Sequence, residues 1–232
     1  MKFSPETGLD RLMSDYAMNI NQPDFKRGVI CLMRHGDSRV DDLKRFTGHT
    51  DSPLSETGRR QAEWWQKEFL SLSFDRIYCS DLSRSLETTR IICKGRKVEI
   101  QVLPELREIN LGEWDGLPKL EVCRSHTEEY EKRGADLAGY RTPGGENFYD
   151  LSARVIPVFE RIIGNMGSER VLIVGHAGVN RVILCHLLGM PLAALFRLGQ
   201  DYCCLNVITS EPGSLCLRSI NIPPGNSASR LL

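Results

Sequence analysis

The most constraining feature of the sequence is a pair of apolar runs that each end at a histidine. The run at positions 29–33 leads into Arg34 and His35, and the run at positions 171–175 leads into His176. Apolar runs without polar alternation are typical of central strands that are covered on both faces. Two strand ends that each present a histidine predict one shared crevice.

Length and charge set the broad class of the protein. A chain of 232 residues with 41% hydrophobic residues can bury one sizeable α/β core. Its 30 basic and 30 acidic residues cancel, so the composition favours neither a nucleic-acid nor an anionic-membrane partner. No run approaches the roughly 20 apolar residues of a membrane-spanning helix. We therefore expect a cytoplasmic protein without nucleic-acid or membrane partners.

The eight cysteines include no C-x-x-C pair. Most of them lie inside apolar runs, which is typical of small buried residues in a reducing compartment. Cys185 and His186 are adjacent, but no further ligands stand at the spacing of a zinc site. The sequence therefore predicts no metal site.

Strand and helix patterns alternate along the chain. Strands are predicted near positions 29–34, 76–79, 99–103, 171–175, 202–209 and 215–220, and helices near 55–71, 80–93, 118–133, 146–164 and 177–188. Ser55 stands just before one of these helices, and serine is a preferred residue at helix N-caps. The alternation predicts an α/β fold, a three-layer sandwich with a mostly parallel central sheet.

The same patterns suggest a division of the chain. We expect an N-terminal extension at 1–28 that contains a short amphipathic helix, because apolar residues recur there at helical spacing. The main domain is expected at 29–220, and a polar segment at 117–145 is interpreted as a lid-like excursion. Residues 221–232 are expected to form a flexible tail.

Four cationic or imidazole side chains stand at or just after predicted strand ends: Arg34, His35, Arg84 and His176. Ligands of such sheets bind at the carboxyl ends of the strands. Arg84 is expected in the first turn of a helix, where free N–H groups and the helix dipole favour an anion. Two arginines and two imidazoles suit a phosphate group. The chain has neither a Walker-type loop nor a G-x-G-x-x-G turn after a strand, which weakens nucleotide-kinase and dinucleotide interpretations.

These motifs resemble the histidine phosphatase (phosphoglycerate mutase-like) superfamily over about residues 29–210. The resemblance is carried by residues 32–36 (LMRHG), 46–58 (FTGHTDSPLSETG), 78–84 (YCSDLSR), 106–108 (LRE), 143–146 (PGGE) and 175–178 (GHAG). Residues 46–58 and 106–116 most resemble those of α-ribazole phosphatases and related small-molecule phosphatases. The resemblance implies a phosphoglycerate mutase-like fold and no metal or other cofactor.

The resemblance also implies a phosphomonoesterase that forms a phosphohistidine intermediate on a phosphorylated small molecule. His35 would be the nucleophile, and one difficult displacement would become two easier ones. Glu108 would protonate the leaving oxygen and then activate the hydrolytic water. His176 would stabilise the transferred group as the third catalytic residue. The residues implied at the substrate are Arg34, Arg84, Ser38, Gly48 and Ala177.

Asp41 departs from the family pattern, which usually has an asparagine at this position. A carboxylate close to the phosphate would repel it. We therefore predict that Asp41 either turns away to pair with Arg39, Lys44 or Arg45, or faces a cationic part of the substrate.

Two alternative functions stay open at this point. A phosphoglycerate mutase shares the catalytic residues but returns the phosphoryl group to the substrate, and its segment corresponding to 117–145 is longer. A non-catalytic phospholigand-binding protein has no need of a proton donor such as Glu108. No sequence feature specifies an oligomeric state.

Overall fold

The computed structural model describes residues 27–39, 41–164, 166–211 and 214–225. The predicted amphipathic helix of the N-terminal extension and most of the predicted tail lie outside the described residues. The division into extension, main domain and tail stays a prediction.

The strands are β1 (Val29–Arg34), β2 (Arg76–Cys79), β3 (Ile100–Val102), β4 (Arg170–Gly175), β5 (Leu205–Glu211) and β6 (Ser214–Ile222). The α-helices are α1 (Glu56–Glu68), α2 (Ser83–Ile92), α3 (Lys119–Ser125), α4 (Thr127–Ala135), α5 (Phe148–Gly164) and α6 (Ala177–Leu188). Short 3₁₀ helices lie at Pro104–Leu106, Gly112–Trp114 and Leu192–Arg197.

One six-stranded sheet organises the fold, with the strand order β3-β2-β4-β1-β5-β6. The pairs β1/β4, β2/β4 and β2/β3 are parallel, whereas β1/β5 and β5/β6 are antiparallel. The predicted mostly parallel α/β fold is therefore confirmed.

The central strand β1 is buried on both faces, as its continuous apolar run predicts. Ile30 and Leu32 belong to the core cluster that includes α5 and α6, whereas Cys31 and Met33 belong to the cluster that includes Trp65 of α1. Successive side chains of a strand point to opposite faces, so two cores require helices on both sides of the sheet. The result is the three-layer arrangement.

A local signal accounts for the start of α1. Ser55 is the N-cap of α1, and its hydroxyl accepts a hydrogen bond from the Gly58 N–H at 3.1 Å. The single helix predicted at 118–133 is instead divided at His126, whose φ of −133° is not helical. The Thr127 hydroxyl donates to the Cys123 carbonyl at 3.0 Å, which satisfies an acceptor at the end of α3. Within the described ranges, no helix is long and apolar enough to cross a membrane.

Candidate active site

The register of β1 and β4 brings the two motif histidines together. Arg34 stands opposite Gly175, and the His35 backbone N–H donates to the Gly175 carbonyl at 3.0 Å. His35 and His176 therefore leave the sheet at the same edge, and their ring centroids are 5.0 Å apart. The predicted shared crevice is formed by adjacent parallel strands.

The orientation of the His35 ring is set by its own loop. Nδ1 lies 2.7 Å from the Gly36 carbonyl oxygen, and because a carbonyl only accepts, this contact assigns the hydrogen to Nδ1. Burial lowers the pKa of His35 well below its usual value, and the positive charges of Arg34 and Arg84 lower it further. The neutral ring therefore carries its lone pair on Nε2.

Gly36 packs closely against the start of α1. A Cβ on Gly36 would lie 2.7 Å from the Gly58 carbonyl oxygen, so the glycine permits close packing against α1. The Gly36 N–H donates to the Thr88 hydroxyl at 3.0 Å, which joins the His35 loop to α2.

Arg84 is 1% exposed and is held by the loop that precedes α1. Its Nη1 and Nη2 atoms donate to the carbonyls of Thr50 at 2.8 Å and Gly48 at 2.6 Å. Burial lowers the pKa of Arg84, and the nearby carboxylate of Glu108 opposes this effect. Gly48 also donates its N–H to Asp115 at 2.8 Å, so both of its backbone polar groups are engaged within the protein.

The N-terminus of α2 is already occupied by an acidic side chain. Asp51 accepts hydrogen bonds from the Ser83 N–H at 2.7 Å and from the Ser83 hydroxyl at 2.6 Å. The expectation that this helix end offers free N–H groups to an external anion is therefore wrong at Ser83. Arg84 itself does stand in the first turn, as predicted.

Arg34 and His176 complete the floor of the site beside Arg84. Arg34 Nη1 donates to the Gln200 carbonyl at 2.7 Å, and its guanidinium carbon lies 3.7 Å from the centroid of the Tyr202 ring. His176 Nε2 lies 2.7 Å from the Ser80 hydroxyl oxygen. Burial, followed by the charge of Arg84, lowers the pKa of His176 well below its usual value.

Three buried nitrogen atoms at this floor have no hydrogen-bond partner among the described residues: Arg34 Nε, Arg84 Nε and His176 Nδ1. Buried polar groups in proteins are nearly always paired. If the Ser80 hydroxyl donates to His176 Nε2, then His176 Nδ1 carries a hydrogen and all three atoms are donors. Such a set suits an anion.

The side chain of Glu108 lies at the start of α6. Its carboxylate accepts from the Gly178 N–H at 3.1 and 3.0 Å and from the Ile109 N–H at 3.0 Å. Its backbone carbonyl accepts from Arg154 Nη2 at 2.8 Å, and Arg154 also pairs with Glu146 at 2.8 Å. The helix end and Arg154 together hold Glu108 in place.

A cavity of about 580 Å³ opens above this floor. Of the predicted site residues, Arg34, Ser38, Glu108 and Ala177 line it. His35, Arg84 and His176 are almost completely buried, with exposed fractions of 4%, 1% and 0%. Gly48 is not among the lining residues and contacts Arg84 instead.

Asp41 lines the cavity, but its carboxylate bonds within its own loop. Its carboxylate pairs with Arg45 at 2.6 Å and accepts from the Leu43 N–H at 3.1 Å. The hydrogen bond from Arg45 holds the pKa of Asp41 below its usual range. Arg39 instead pairs with Asp37 at 2.6 Å. The structure therefore agrees with the predicted alternative in which Asp41 pairs with a basic residue of its own loop, here Arg45.

Several residues at the site were not found by sequence reasoning. The cavity is also lined by Lys119, Arg133, Arg181 and Tyr202. The sequence predicts Lys119 and Arg133 only as members of the helix at 118–133, since a helix pattern does not tell which cations face a cavity. The excursion residues Tyr130 and Tyr140 pack against Trp114, with ring centroids 6.5 and 5.7 Å apart, and Arg141 pairs with Asp150. The lid interpretation stays a prediction.

The family model of the histidine phosphatase superfamily (branch 1) matches residues 30–223. The chain belongs to this superfamily. It is 30% identical to an adenosylcobalamin/alpha-ribazole phosphatase of Salmonella typhimurium over 190 residues, which cover 82% of this chain and 94% of that protein. A Photorhabdus laumondii relative named "Probable phosphoglycerate mutase GpmB" is 33% identical over 76% of this chain and 82% of its own length.

A solved structure agrees with this assignment. The crystal structure of the alpha-ribazole phosphatase from Shigella flexneri superimposes with a TM-score of 0.78 at 27% identity, covering 85% of this chain and 100% of that one. The family and these relatives identify the chain as a hydrolase of phosphoric monoesters that acts on a phosphorylated small molecule. The expected phosphoglycerate mutase-like fold is confirmed.

Proposed function

We propose that this phosphatase works through a phosphohistidine formed on Nε2 of His35. The observation that carries the proposal is the contact of His35 Nδ1 with the Gly36 carbonyl, which leaves the lone pair on Nε2. In the first step the Nε2–P bond forms while the P–O bond to the alcohol breaks. Two displacements with a covalent intermediate then replace a single attack by water.

The phosphoryl group is held by the buried floor. We assign Arg34, Arg84 and His176 to its oxygens, because each has a buried nitrogen that is unpaired within the described residues. Donors that are already oriented stabilise the charge of the transition state without reorganisation. Ser38 and Ala177 line the cavity, and we assign them to substrate contacts. Gly48 accepts a hydrogen bond from Arg84 through its carbonyl, and we assign it the role of orienting Arg84.

Glu108 handles the protons in this proposal. In the first step it gives a proton to the oxygen of the departing alcohol. In the second step its carboxylate takes a proton from water, and the hydroxide attacks phosphorus as the Nε2–P bond breaks. The products are the alcohol and inorganic phosphate, and both His35 and Glu108 return to their starting states. Its position on the cavity wall supports this role.

The cavity volume of about 580 Å³ suits a metabolite-sized substrate. Relatives that are named alpha-ribazole phosphatases support hydrolysis of a small phosphate ester. The alternative activity is that of a mutase, in which the phosphoryl group returns to the substrate, because one relative is named as a probable phosphoglycerate mutase.

We also propose a reducing, cytoplasmic location, which the cysteines support. Six of the eight cysteines are buried as free thiols. Burial raises the pKa of Cys31 to about 12, so this thiol stays protonated. Buried free thiols are typical of cytosolic proteins.

Trapping the intermediate tests the mechanism. The wild-type enzyme is mixed briefly with a ³²P-labelled ester and quenched in alkaline detergent, because phosphohistidine is stable in base and labile in acid. We expect label on the wild type and on the control His186→Ala, whose ring is 42% exposed outside the cavity. His35→Ala should carry no label and lose at least about 10³-fold in turnover. Unchanged labelling of His35→Ala would exclude His35 as the nucleophile.

A second measurement separates hydrolysis from phosphoryl return. Labelled 3-phosphoglycerate is added, and the label is followed into inorganic phosphate or into 2-phosphoglycerate. A phosphatase releases the label as inorganic phosphate. Retention of most of the label in phosphoglycerates would assign the mutase activity instead.

A further inference from the structure

The cavity carries a second group of positive charges in addition to those at the phosphate floor. Lys119 of α3, Arg133 of α4 and Arg181 of α6 line its wall. The charges that act on His35 are those of Arg34 and Arg84, whereas the charges that act on Lys119 are those of Arg133, Lys44 and Arg181. The cations of the wall adjoin those of the floor, because the charge of Arg34 also acts on Arg181.

Two other cations of this wall are already compensated by carboxylates, whereas Lys44 also lines it and forms no ion pair within 4.0 Å among the described residues. Arg45 pairs with Asp41 and Arg39 pairs with Asp37. In the part of the chain that the structure describes, Lys119, Arg133 and Arg181 form no ion pair within 4.0 Å. The second group thus has no direct carboxylate partner among the described residues, although the charges of Glu108 and Asp201 act on Arg181.

Aromatic rings, rather than acids, accompany these three cations. The Lys119 ammonium and the Arg133 guanidinium carbon lie 5.4 and 5.2 Å from the centroid of Phe46. The Arg181 guanidinium carbon lies 5.1 Å from the centroid of Phe196, and its Nε donates to the Leu198 carbonyl at 2.9 Å. Ring contacts orient a cation without removing its charge, so the groups stay available to an anion.

Mutual repulsion accompanies this arrangement. Lys119 lies at the exposed rim, and partial burial together with the charges of Arg133, Lys44 and Arg181 lowers its pKa. Burial also lowers the pKa of Arg133. A bound anion would relieve both effects, because an opposite charge favours the protonated state.

We propose that Lys119, Arg133 and Arg181 bind a second anionic group of the substrate. The substrate class is then a phosphomonoester that also carries a carboxylate or a second phosphate. This inference rests on the proposed function, because the ester phosphate occupies the floor at Arg34 and Arg84. Phe46, Phe148 and Phe196, which also line the cavity, contact the apolar part of the molecule.

Two matched pairs of ligands test the second anion site by calorimetric binding at low salt. The first pair is glycerol 3-phosphate, which carries a hydroxymethyl group, and 3-phosphoglycerate, which carries a carboxylate at the same position. The second pair is 3-hydroxypropyl phosphate, which carries a hydroxyl group, and 1,3-propanediol bisphosphate, which carries a phosphate there. Binding is measured on His35→Ala, in which the proposed nucleophile is absent. We expect the anionic member of at least one pair to bind about tenfold more tightly. The pair that shows the preference distinguishes a carboxylate from a phosphate.

Substitutions then locate the preference. In the same background, Lys119→Met with Arg133→Met should reduce it to within about twofold, because two charge-assisted hydrogen bonds are lost. The control Arg124→Met removes an exposed cation of α3 that does not line the cavity, and should keep the preference. Arg133→Lys should retain part of it, and circular dichroism checks the folding of each variant.

The outcomes separate this inference from the proposed mechanism. No preference in either pair, or a full preference in the double methionine variant, would overturn the second anion site whatever the turnover. A preference that depends on Lys119 and Arg133 would support it even if His35 proved not to be phosphorylated. Failure of the labelling experiment bears on the nucleophile alone.

Discussion

The Gly178 N–H donates to both carboxylate oxygens of Glu108, at 3.1 and 3.0 Å. Gly178 stands in the first turn of α6, where backbone N–H groups have no partner within the helix. A Cβ on Gly178 would lie 2.3 Å from Glu108 Oε1, so only glycine permits this approach. The helix end therefore determines where the proposed proton donor lies.

The role of Glu108 predicts a dependence on the leaving group. Glu108→Gln should lose roughly 10²-fold or more on an alkyl phosphate, since the departing alkoxide needs a proton. The loss on p-nitrophenyl phosphate should be much smaller, because nitrophenolate departs without one. Single-turnover rates of phosphoryl transfer measure both losses. Gly178→Ala should reproduce this pattern, because the added methyl group displaces the Glu108 carboxylate rather than the backbone.

Equal losses on the two esters would give Glu108 a structural or phosphate-binding role. Thermal unfolding of both variants serves as the control. Each should keep a midpoint near that of the wild type if the defect is confined to the carboxylate.

The Asp41–Arg45 pair predicts a small effect of removing the Asp41 charge. Asp41→Asn should change inhibition by inorganic phosphate by less than about threefold, because an exposed ion pair contributes little. Asp42→Asn, at the neighbouring exposed position, is the matched control. Inhibition constants with p-nitrophenyl phosphate as substrate measure the effect. Tightening by tenfold or more in Asp41→Asn alone would mean that the carboxylate faces the phosphate.

The buried histidines predict a loss of stability at mildly acidic pH. The pKa values of His35 and His176 are lowered in the folded protein, whereas both rings take up protons near pH 6.5 when unfolded. The unfolded state therefore binds more protons below pH 6.5, and stability falls as the pH falls through this range. Between pH 7.5 and 5.5, the two rings together should cost about 2–3 kcal/mol of unfolding free energy.

Urea unfolding at the two pH values measures this loss. His35→Asn should reduce it by about half, because one of the two rings no longer titrates. His186→Asn replaces a half-exposed ring and should keep the full loss. A pH dependence that is the same in wild type and His35→Asn would contradict a neutral, buried His35.

Local patterns predicted much of the site because its residues follow directly from strand ends. The apolar runs of β1 and β4 stop at Arg34 and His176, so both side chains stand at the carboxyl ends of adjacent parallel strands. The helix pattern at 118–133 does not predict the division at His126. The hydrogen bond from the Thr127 hydroxyl to the Cys123 carbonyl is known only from the structure. The sequence also does not predict that Lys119 and Arg133 line the cavity, since this depends on how two short helices pack.

The sequence by itself determined the strands, the Ser55 cap and the family, because periodicity, capping and motif order are properties of neighbouring residues. Only the tertiary structure decided that Asp51 occupies the N-terminus of α2, and that Arg45 neutralises Asp41. It also decided that Lys119, Arg133 and Arg181 line one cavity together with Arg34 and Glu108. Each of these contacts depends on the relative placement of side chains in three dimensions, which local sequence patterns do not specify.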